Sequence, residues 1–345
     1  MDPGFRRYGA ISLPRPREPA TAVGPAKIGG SPVLAYMVRR VLATIPVMAV
    51  VALFVFALLH LSPGDPAAII AGDTATPADI ARIRVALGLD QPLYLQFGDW
   101  VGHLLRADLG VSIFTNLPVS TLIGQRVEPT VALTISTLFV SVLVAIPMGV
   151  LAAWKAGSWI DRLVMVFAVL GFSVPVFILA YVLIYVFAIG ANLLPVQGYV
   201  SIRHGIAPFL SHIVLPSIAL GTVYTALIAR ITRASMLDVL AQDYIRTAQA
   251  KGLSDDRVLI GHALKNAAVP IATIIGIGLA LLISGVVVTE TVFAIPGIGR
   301  LTVDAILRRD YPVIQGIILI FSAAYVLVNL LIDLSYTFLD PRIRY

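Results

Sequence analysis

Glu290 closes a long apolar run, 271–293, and is followed by Pro296, Gly297 and Gly299. A carboxylate at the end of a hydrophobic stretch either belongs to a solute or ion path, or is an interface group that meets water or caps the next helix. The proline and glycines that follow shape either a gate on that path or a plain turn. A second pattern lies at Leu237, Ala241, Tyr244 and Ala248, which recur at helical spacing and draw one apolar stripe in a basic segment. Such a stripe has to be covered, by the chain's own spans or by another protein.

The residues of enzymatic chemistry are missing. His60, His103, His204, His212 and His262 never form a His-Glu-x-x-His pair, and no Gly-x-Ser-x-Gly elbow occurs. No Gly-x-x-x-x-Gly-Lys-Ser/Thr phosphate loop occurs either, so ATP hydrolysis is not expected of this chain. With Cys 0, disulfides and cysteine-ligated metal sites are excluded. No catalytic residue, no metal site and no cofactor of its own are expected. A proton-coupled carrier is poorly equipped too, because the apolar runs are nearly free of charge, with Glu290 and Asp333 near the ends of theirs.

The elements that position these residues follow from composition. Of 345 residues 58% are hydrophobic and 13% charged, and the mean hydropathy is +0.92, far from a soluble domain. Roughly 17–25 apolar residues cross a bilayer as a helix. Runs of that length occupy 41–61, 130–154, 164–189, 213–229, 271–293 and 313–332. None alternates in polarity as a barrel strand would, so an all-α integral membrane protein with six transmembrane helices is expected. Pro147, Pro175 and Pro270 mark possible kinks or breaks.

The net charge of +6 reads as orientation, not as nucleic-acid binding. With both termini cytoplasmic, the inner segments hold the larger share of the 25 Lys and Arg, including Arg39, Arg40, Lys155, Arg162, Arg230, Arg233, Arg246, Lys251, Arg257 and Lys265. Residues 1–32, rich in proline and arginine, read as a disordered tail ahead of a permease domain over 33–345. Residues 62–128 form an extracytoplasmic segment, with a short helix opened by Thr76 and Pro77 and ended by Gly88. Residues 230–266 form a cytoplasmic loop of helix, turn at Gly252 and second helix opened by Ser254, Asp255 and Asp256.

Here the sequence resembles a known family. The string ARITRASMLDVLAQDYIRTAQAKGLSDDRVLIGHALKNAAVP over 229–270 looks like the EAA loop of binding-protein-dependent ABC importers, in the dipeptide/oligopeptide permease form. It departs from the generic pattern: Arg246-Thr247-Ala248 stands for Glu-Ala-Ala, and His262-Ala263-Leu264-Lys265 for Ile-x-Leu-Pro. Leu61-Ser62-Pro63-Gly64-Asp65-Pro66, Leu87-Gly88-Leu89-Asp90-Gln91-Pro92-Leu93, Asp108-Leu109-Gly110-Val111-Ser112, the stretch from Glu290 to Gly299, and Phe338-Leu339-Asp340-Pro341-Arg342 extend the likeness from about 33 to 345.

The resemblance implies a type I ABC importer permease fold in the bacterial inner membrane, moving dipeptides or oligopeptides. Nickel, glutathione or oligosaccharides are alternatives within that class, and an ATPase-independent channel or secondary carrier is an alternative outside it. The implied partners are a second homologous permease, two cytoplasmic ATPase subunits carrying ATP and Mg, a periplasmic or lipid-anchored solute-binding protein, and membrane lipid. Tyr244, Ala248, Gly252 and Leu253, flanked by Asp243 and Arg246, would carry the ATPase contact. Glu290, Pro296, Gly297 and Gly299 would belong to the pathway or its gate.

Overall fold

The computed structural model describes residues 32–61, 65–71, 76–86 and 88–339. Of the tail expected over 1–32, residues 1–31 lie outside them, as do the motif residues at 62–64, 87 and 340–342, while Pro32 opens the first helix. Among the described residues every regular element is a helix: α1 (Pro32–Leu61), α2 (Pro66–Ala71), α3 (Pro77–Ala86), α4 (Leu93–Leu105), α5 (Val119–Trp154), α6 (Trp159–Ser173), α7 (Val176–Leu183, running on as a π turn over Ile184–Gly190), α8 (Ile206–Leu240), α9 (Asp243–Ala250), α10 (Lys265–Val292, entered through a π stretch at Arg257–Leu264), α11 (Ile298–Arg308) and α12 (Tyr311–Leu339).

Among the described residues five helices are long and apolar enough to cross a membrane. The run at 164–189, expected as one span, is instead two helices, α6 and α7, bent by 105°. The break is local chemistry: Pro175 biases the residue before it away from helix, and Val174 is extended at φ −87°, ψ 119°. Counted as one broken span, the pair brings the number to six. Pro147 and Pro270 stay inside α5 and α10.

At 36 and 35 residues, α5 and α8 are each about 50 Å long at ~1.5 Å per residue, against a hydrocarbon core of about 30 Å. Both therefore project beyond a bilayer. The first turns of α5 reach α11 at one end of the bundle, and the last turns of α8 reach α9 at the other.

These two helices make the closest pair. Thr137, Ser141, Ala145, Gly149 and Ala152 are buried along one face of α5, and Ser141 donates to the Gly221 carbonyl at 3.0 Å. A Cβ at Gly149 would come within 2.7 Å of the Ala229 carbonyl oxygen and 2.6 Å of Thr232, so backbone approach is what these small residues permit. Leu133, Leu220, Tyr224, Ile228, Leu282 and Phe293 fill the central core between α5, α8 and α10. On the periphery α4 leans on α1 through Phe97 and Trp100, which cluster with Phe56. The expected short helix is α3: Thr76 precedes it, its carbonyl accepts from Ile80 at 3.1 Å, and Gly88 beyond it is left-handed at φ +65°.

Candidate functional site

Two constellations stand at opposite ends of the bundle. At one end α8 stops at Ala241, and the chain turns through Gln242 into α9. The turn resets the helical phase, so the stripe at Leu237, Ala241, Tyr244 and Ala248 is not one face of one helix. On α9 the buried residues are Ile245, 1% exposed, and Ala248. They pack into an intrachain cluster with Ala153 of α5, Met236 of α8, Val258 and Leu259 of the π stretch, and Ala267 and Ile271 of α10.

The other face of α9 is open. Tyr244 is 45% exposed, and Asp243 and Arg246 lie on the surface 3.6 Å apart. Gly252 ends the element in the left-handed region at φ +77°, with nothing near the space a Cβ would take. The Leu253 amide donates back to the Ala248 carbonyl, closing the turn expected from sequence. Beside the turn runs an open groove of about 430 Å3 lined by Leu253, Asp256, Arg257, Ile260, Gly261 and His262. Of the sequence candidates the structure thus brings Asp243, Tyr244, Arg246, Gly252 and Leu253 to one surface, while Ala248 is turned into the chain's own core.

A bidentate ion pair braces the same half. Arg233 of α8 grips Asp161 of α6, Nε to Oδ1 at 2.5 Å and Nη2 to Oδ2 at 2.7 Å. Asp161 also accepts from the Gly157 amide at 2.9 Å, and Ser158 caps α6. With the partners 72 positions apart, the spacing offers no signal; an acid opening an apolar run, as Asp161 does, is the hint available. At the rim of α1 and α12, Arg40 pairs with Asp333.

At the opposite end Glu290 is fully buried. Its Oε1 accepts from the Thr130 hydroxyl at 2.6 Å, and its Oε2 accepts from the Arg300 amide at 2.9 Å, with the Gly299 amide also bonded to the carboxylate. Thr130 in turn accepts from the Ile298 amide at 2.8 Å. The first three amides of α11, which a helix start leaves without partners, are therefore satisfied by side chains from α10 and α5. Gly297 and Gly299 are buried against this carboxylate, and Pro296 is exposed. Of the two readings of Glu290 drawn from sequence, the geometry here is the helix-capping one. Thr130, the partner that sequence reasoning missed, lies 160 residues away.

The flanks of this end are fastened as well. Asp310 precedes α12 and is buried, accepting from the Ser112 hydroxyl at 2.5 Å and the Ile113 amide at 3.2 Å. In the loop after α7, Tyr199 donates to Glu128 of α5 at 3.2 Å, and the Gly198 amide to the Phe293 carbonyl at 2.9 Å. Among the described residues no cluster of three or more His, Cys, Asp or Glu could hold a metal ion.

Comparison with known proteins identifies the family of the chain as a whole. Residues 145–345 match the family described as binding-protein-dependent transport system inner membrane component, and residues 33–134 match its N-terminal companion. A probable peptide ABC transporter permease protein of Sinorhizobium fredii is 56% identical over 310 residues, 90% of this chain and 99% of that one. A putative peptide transport system permease protein of Brucella abortus is 45% identical over 311 residues, and a glutathione transport system permease protein of Salmonella typhimurium 43% identical over 312, each with 90% of this chain and 99% of its own length covered.

Proposed function

Because this chain belongs to the family of binding-protein-dependent transport system inner membrane components, we propose that it is one permease half of an ABC importer for dipeptides or oligopeptides. It is a multi-pass protein of the inner membrane. In this reading it pairs with a second homologous permease, stands on two cytoplasmic ATPase subunits that bind ATP and Mg, and receives solute from a periplasmic or lipid-anchored binding protein. Both termini are cytoplasmic, which puts α9 inside and α11 outside.

The observation that carries the reading is the two-sidedness of α9. Ile245 and Ala248 root the helix in the core shared by α5, α8 and α10, while Asp243, Tyr244 and Arg246 face outward beside the open groove at Leu253. A helix so placed passes a push from a partner to three membrane helices at once. ATP-driven closure of the ATPases would move α9, and with it the α5–α8 pair, between inward- and outward-open arrangements. No phosphate loop occurs in the sequence, so the energy enters from partner subunits. At the other end Glu290, Pro296, Gly297 and Gly299 act as the fastening of an outer gate: the capped α11 moves with α5 and α10 instead of independently.

The solute class rests on the relatives named as peptide permeases; the relative named for glutathione, itself a small peptide, keeps that solute as the second reading. Affinity purification from detergent-solubilised native membranes tests the assembly. A second permease and ATPases with phosphate loops should co-purify, and a Gly252→Pro variant should lose the ATPases; recovery of a lone chain would sink the importer reading. Uptake of labelled di- and oligopeptides beside glutathione by the whole system decides the solute.

A further inference from the structure

The break between α6 and α7 leaves polar backbone uncovered at membrane depth. Val174 is extended and Pro175 has no amide hydrogen, so the Phe172 and Ser173 carbonyls have no hydrogen-bond partner among the described residues. Phe172, Ser173, Val174 and Pro175 are all exposed. Val174 lies thirteen positions beyond Asp161, where Arg233 braces α6 to α8. At ~1.5 Å per residue that is about 20 Å along α6, well inside a hydrocarbon core of about 30 Å.

A lone cation stands beside the break. The exposed Arg230 of α8 holds its guanidinium over the Phe172 ring, with Cζ 5.4 Å from the centroid, and forms no ion pair or hydrogen bond among the described residues. Asp161, the acid on α6, is taken by Arg233 and the Gly157 amide. The elbow also forms an apolar pocket of about 180 Å3, whose lining includes Leu170, Gly171, Val174, Leu179, Thr222 and Val223. Pockets for whole small ligands start near 300 Å3, so this one holds a side chain and not a peptide.

We propose that the α6–α7 elbow lines the aqueous path of the assembled transporter and that Arg230 is its solute contact, binding the C-terminal carboxylate of a passing peptide while the pocket takes an apolar side chain. The proposal rests on the importer reading and deepens it. Irregular backbone at this depth is tolerated only where protein covers it or it lines a water-filled cavity, and a charge inside a span marks a solute or ion path. Broken helices present freed backbone groups to substrate in the same way in other transporters. A second permease closed over the elbow would satisfy the carbonyls but bury the Arg230 charge against a ring alone, which favours water over protein here. A guanidinium fork matches a carboxylate in geometry and in charge. Every peptide with a free C-terminus carries that group whatever its sequence, so one contact serves a range of solutes.

With no cysteine in the sequence, a single Ser173→Cys reports on the elbow. The test is its rate of reaction, in the assembled transporter in nanodiscs, with two methanethiosulfonate reagents, one bearing a sulfonate and one a trimethylammonium group. Adducts are counted on this chain by mass. Ser173→Cys should react about tenfold or more faster than Leu53→Cys, which is 56% exposed on the apolar span of α1. The sulfonate reagent should outpace the ammonium one about threefold or more; Arg230→Gln should erase that preference and Arg230→Lys should keep it, as a fixed charge nearby dictates. Di-leucine in solution should slow the labelling and its C-terminal amide should not, a difference that Arg230→Gln removes. Equal rates at Ser173→Cys and Leu53→Cys put the elbow in lipid or under the second permease and overturn the proposal, leaving the importer reading standing. Labelling indifferent to reagent charge, or equal protection by the acid and the amide, takes Arg230 out of solute contact and overturns it too. If the chain assembles with no second permease and no ATPases, both readings fall together.

Discussion

The Glu290 carboxylate occupies the space that a side chain at Gly297 would need: a Cβ built there would overlap both of its oxygens. Gly297 is extended at φ −99°, so the position calls for a missing side chain and not for a special backbone. Gly297→Ala must push the carboxylate off the α11 amides, at a cost of about 1–3 kcal/mol. Gly124→Ala, on an exposed turn of α5 with open space around it, should be neutral or stabilising by about 0.5–1 kcal/mol. Thermal unfolding in detergent separates the two, and equal shifts would refute the close-approach argument.

Thr130 is the joint of the clasp, donating to Glu290 and accepting from Ile298. Thr130→Val keeps the shape and removes both bonds, stranding a buried amide and a carboxylate oxygen, for about 1–3 kcal/mol. Thr130→Ser should retain most of the stability. In a double-mutant cycle with Glu290→Gln the two losses should fall short of additivity by about 0.5 kcal/mol or more; strict additivity would mean that the hydroxyl and the carboxylate do not act together.

Asp161 is buried, while the Arg233 side chain keeps 25% of its surface exposed. Removing one partner of a fully buried pair costs about 3–5 kcal/mol, so Arg233→Met should fall below that range, near 2 kcal/mol. Arg233→Lys should recover little, because a point charge cannot reproduce the two-pronged contact. Full recovery by lysine, read from the denaturation midpoint, would show that charge alone matters here.

Burial, with the Glu128 charge beside it, pushes the Tyr199 hydroxyl up from 10.0 to about 12. Below pH ~10 the phenol is neutral whether folded or not, so its contribution is intact. As pH rises from 10 towards 12 the unfolded chain ionises and the folded one does not, and stability is lost over that window. Tyr199→Phe should show a shallower alkaline loss than wild type when unfolding is followed against pH; parallel curves would place Tyr199 in open water.

The apolar runs that became α1, α5, α8, α10 and α12 were legible because each is a long uninterrupted hydrophobic stretch. Pro147, Pro175 and Pro270 read alike in sequence, yet only Pro175 breaks its run, because neighbouring helices decide whether freed carbonyls are satisfied. The Thr76, Gly88 and Gly252 signals were local and legible for that reason. The stripe was misphased because a single turn at Ala241 and Gln242 rotates everything after it; Ile245 and Ala248, three apart, held the better signal. The pairs that build the sites were not legible: Glu290 with Thr130, Asp161 with Arg233 and Asp310 with Ser112 lie 160, 72 and 198 residues apart, and no spacing rule reaches across such gaps.

Neighbours on α9 separate anchoring from the proposed docking. Ile245 is 1% exposed within the shared core and Tyr244 is 45% exposed beside it. Ile245→Ala removes buried methyl groups and should destabilise the chain by about 2–5 kcal/mol, lowering the unfolding temperature before any partner is added. Tyr244→Ala removes surface contact alone and should leave unfolding within about 0.5 kcal/mol of wild type. In the reconstituted transporter the order reverses: Tyr244→Ala should assemble poorly with the ATPases or lose solute-stimulated ATP hydrolysis, by about tenfold or more if Tyr244 is an interface anchor. Arg246→Glu should act in the same direction. If transporters assembled with Tyr244→Ala or Arg246→Glu hydrolyse ATP and import solute like wild type, the outward face of α9 is not the docking surface and the drive must enter elsewhere, the groove at Leu253 and Ile260 being the next surface to mutate.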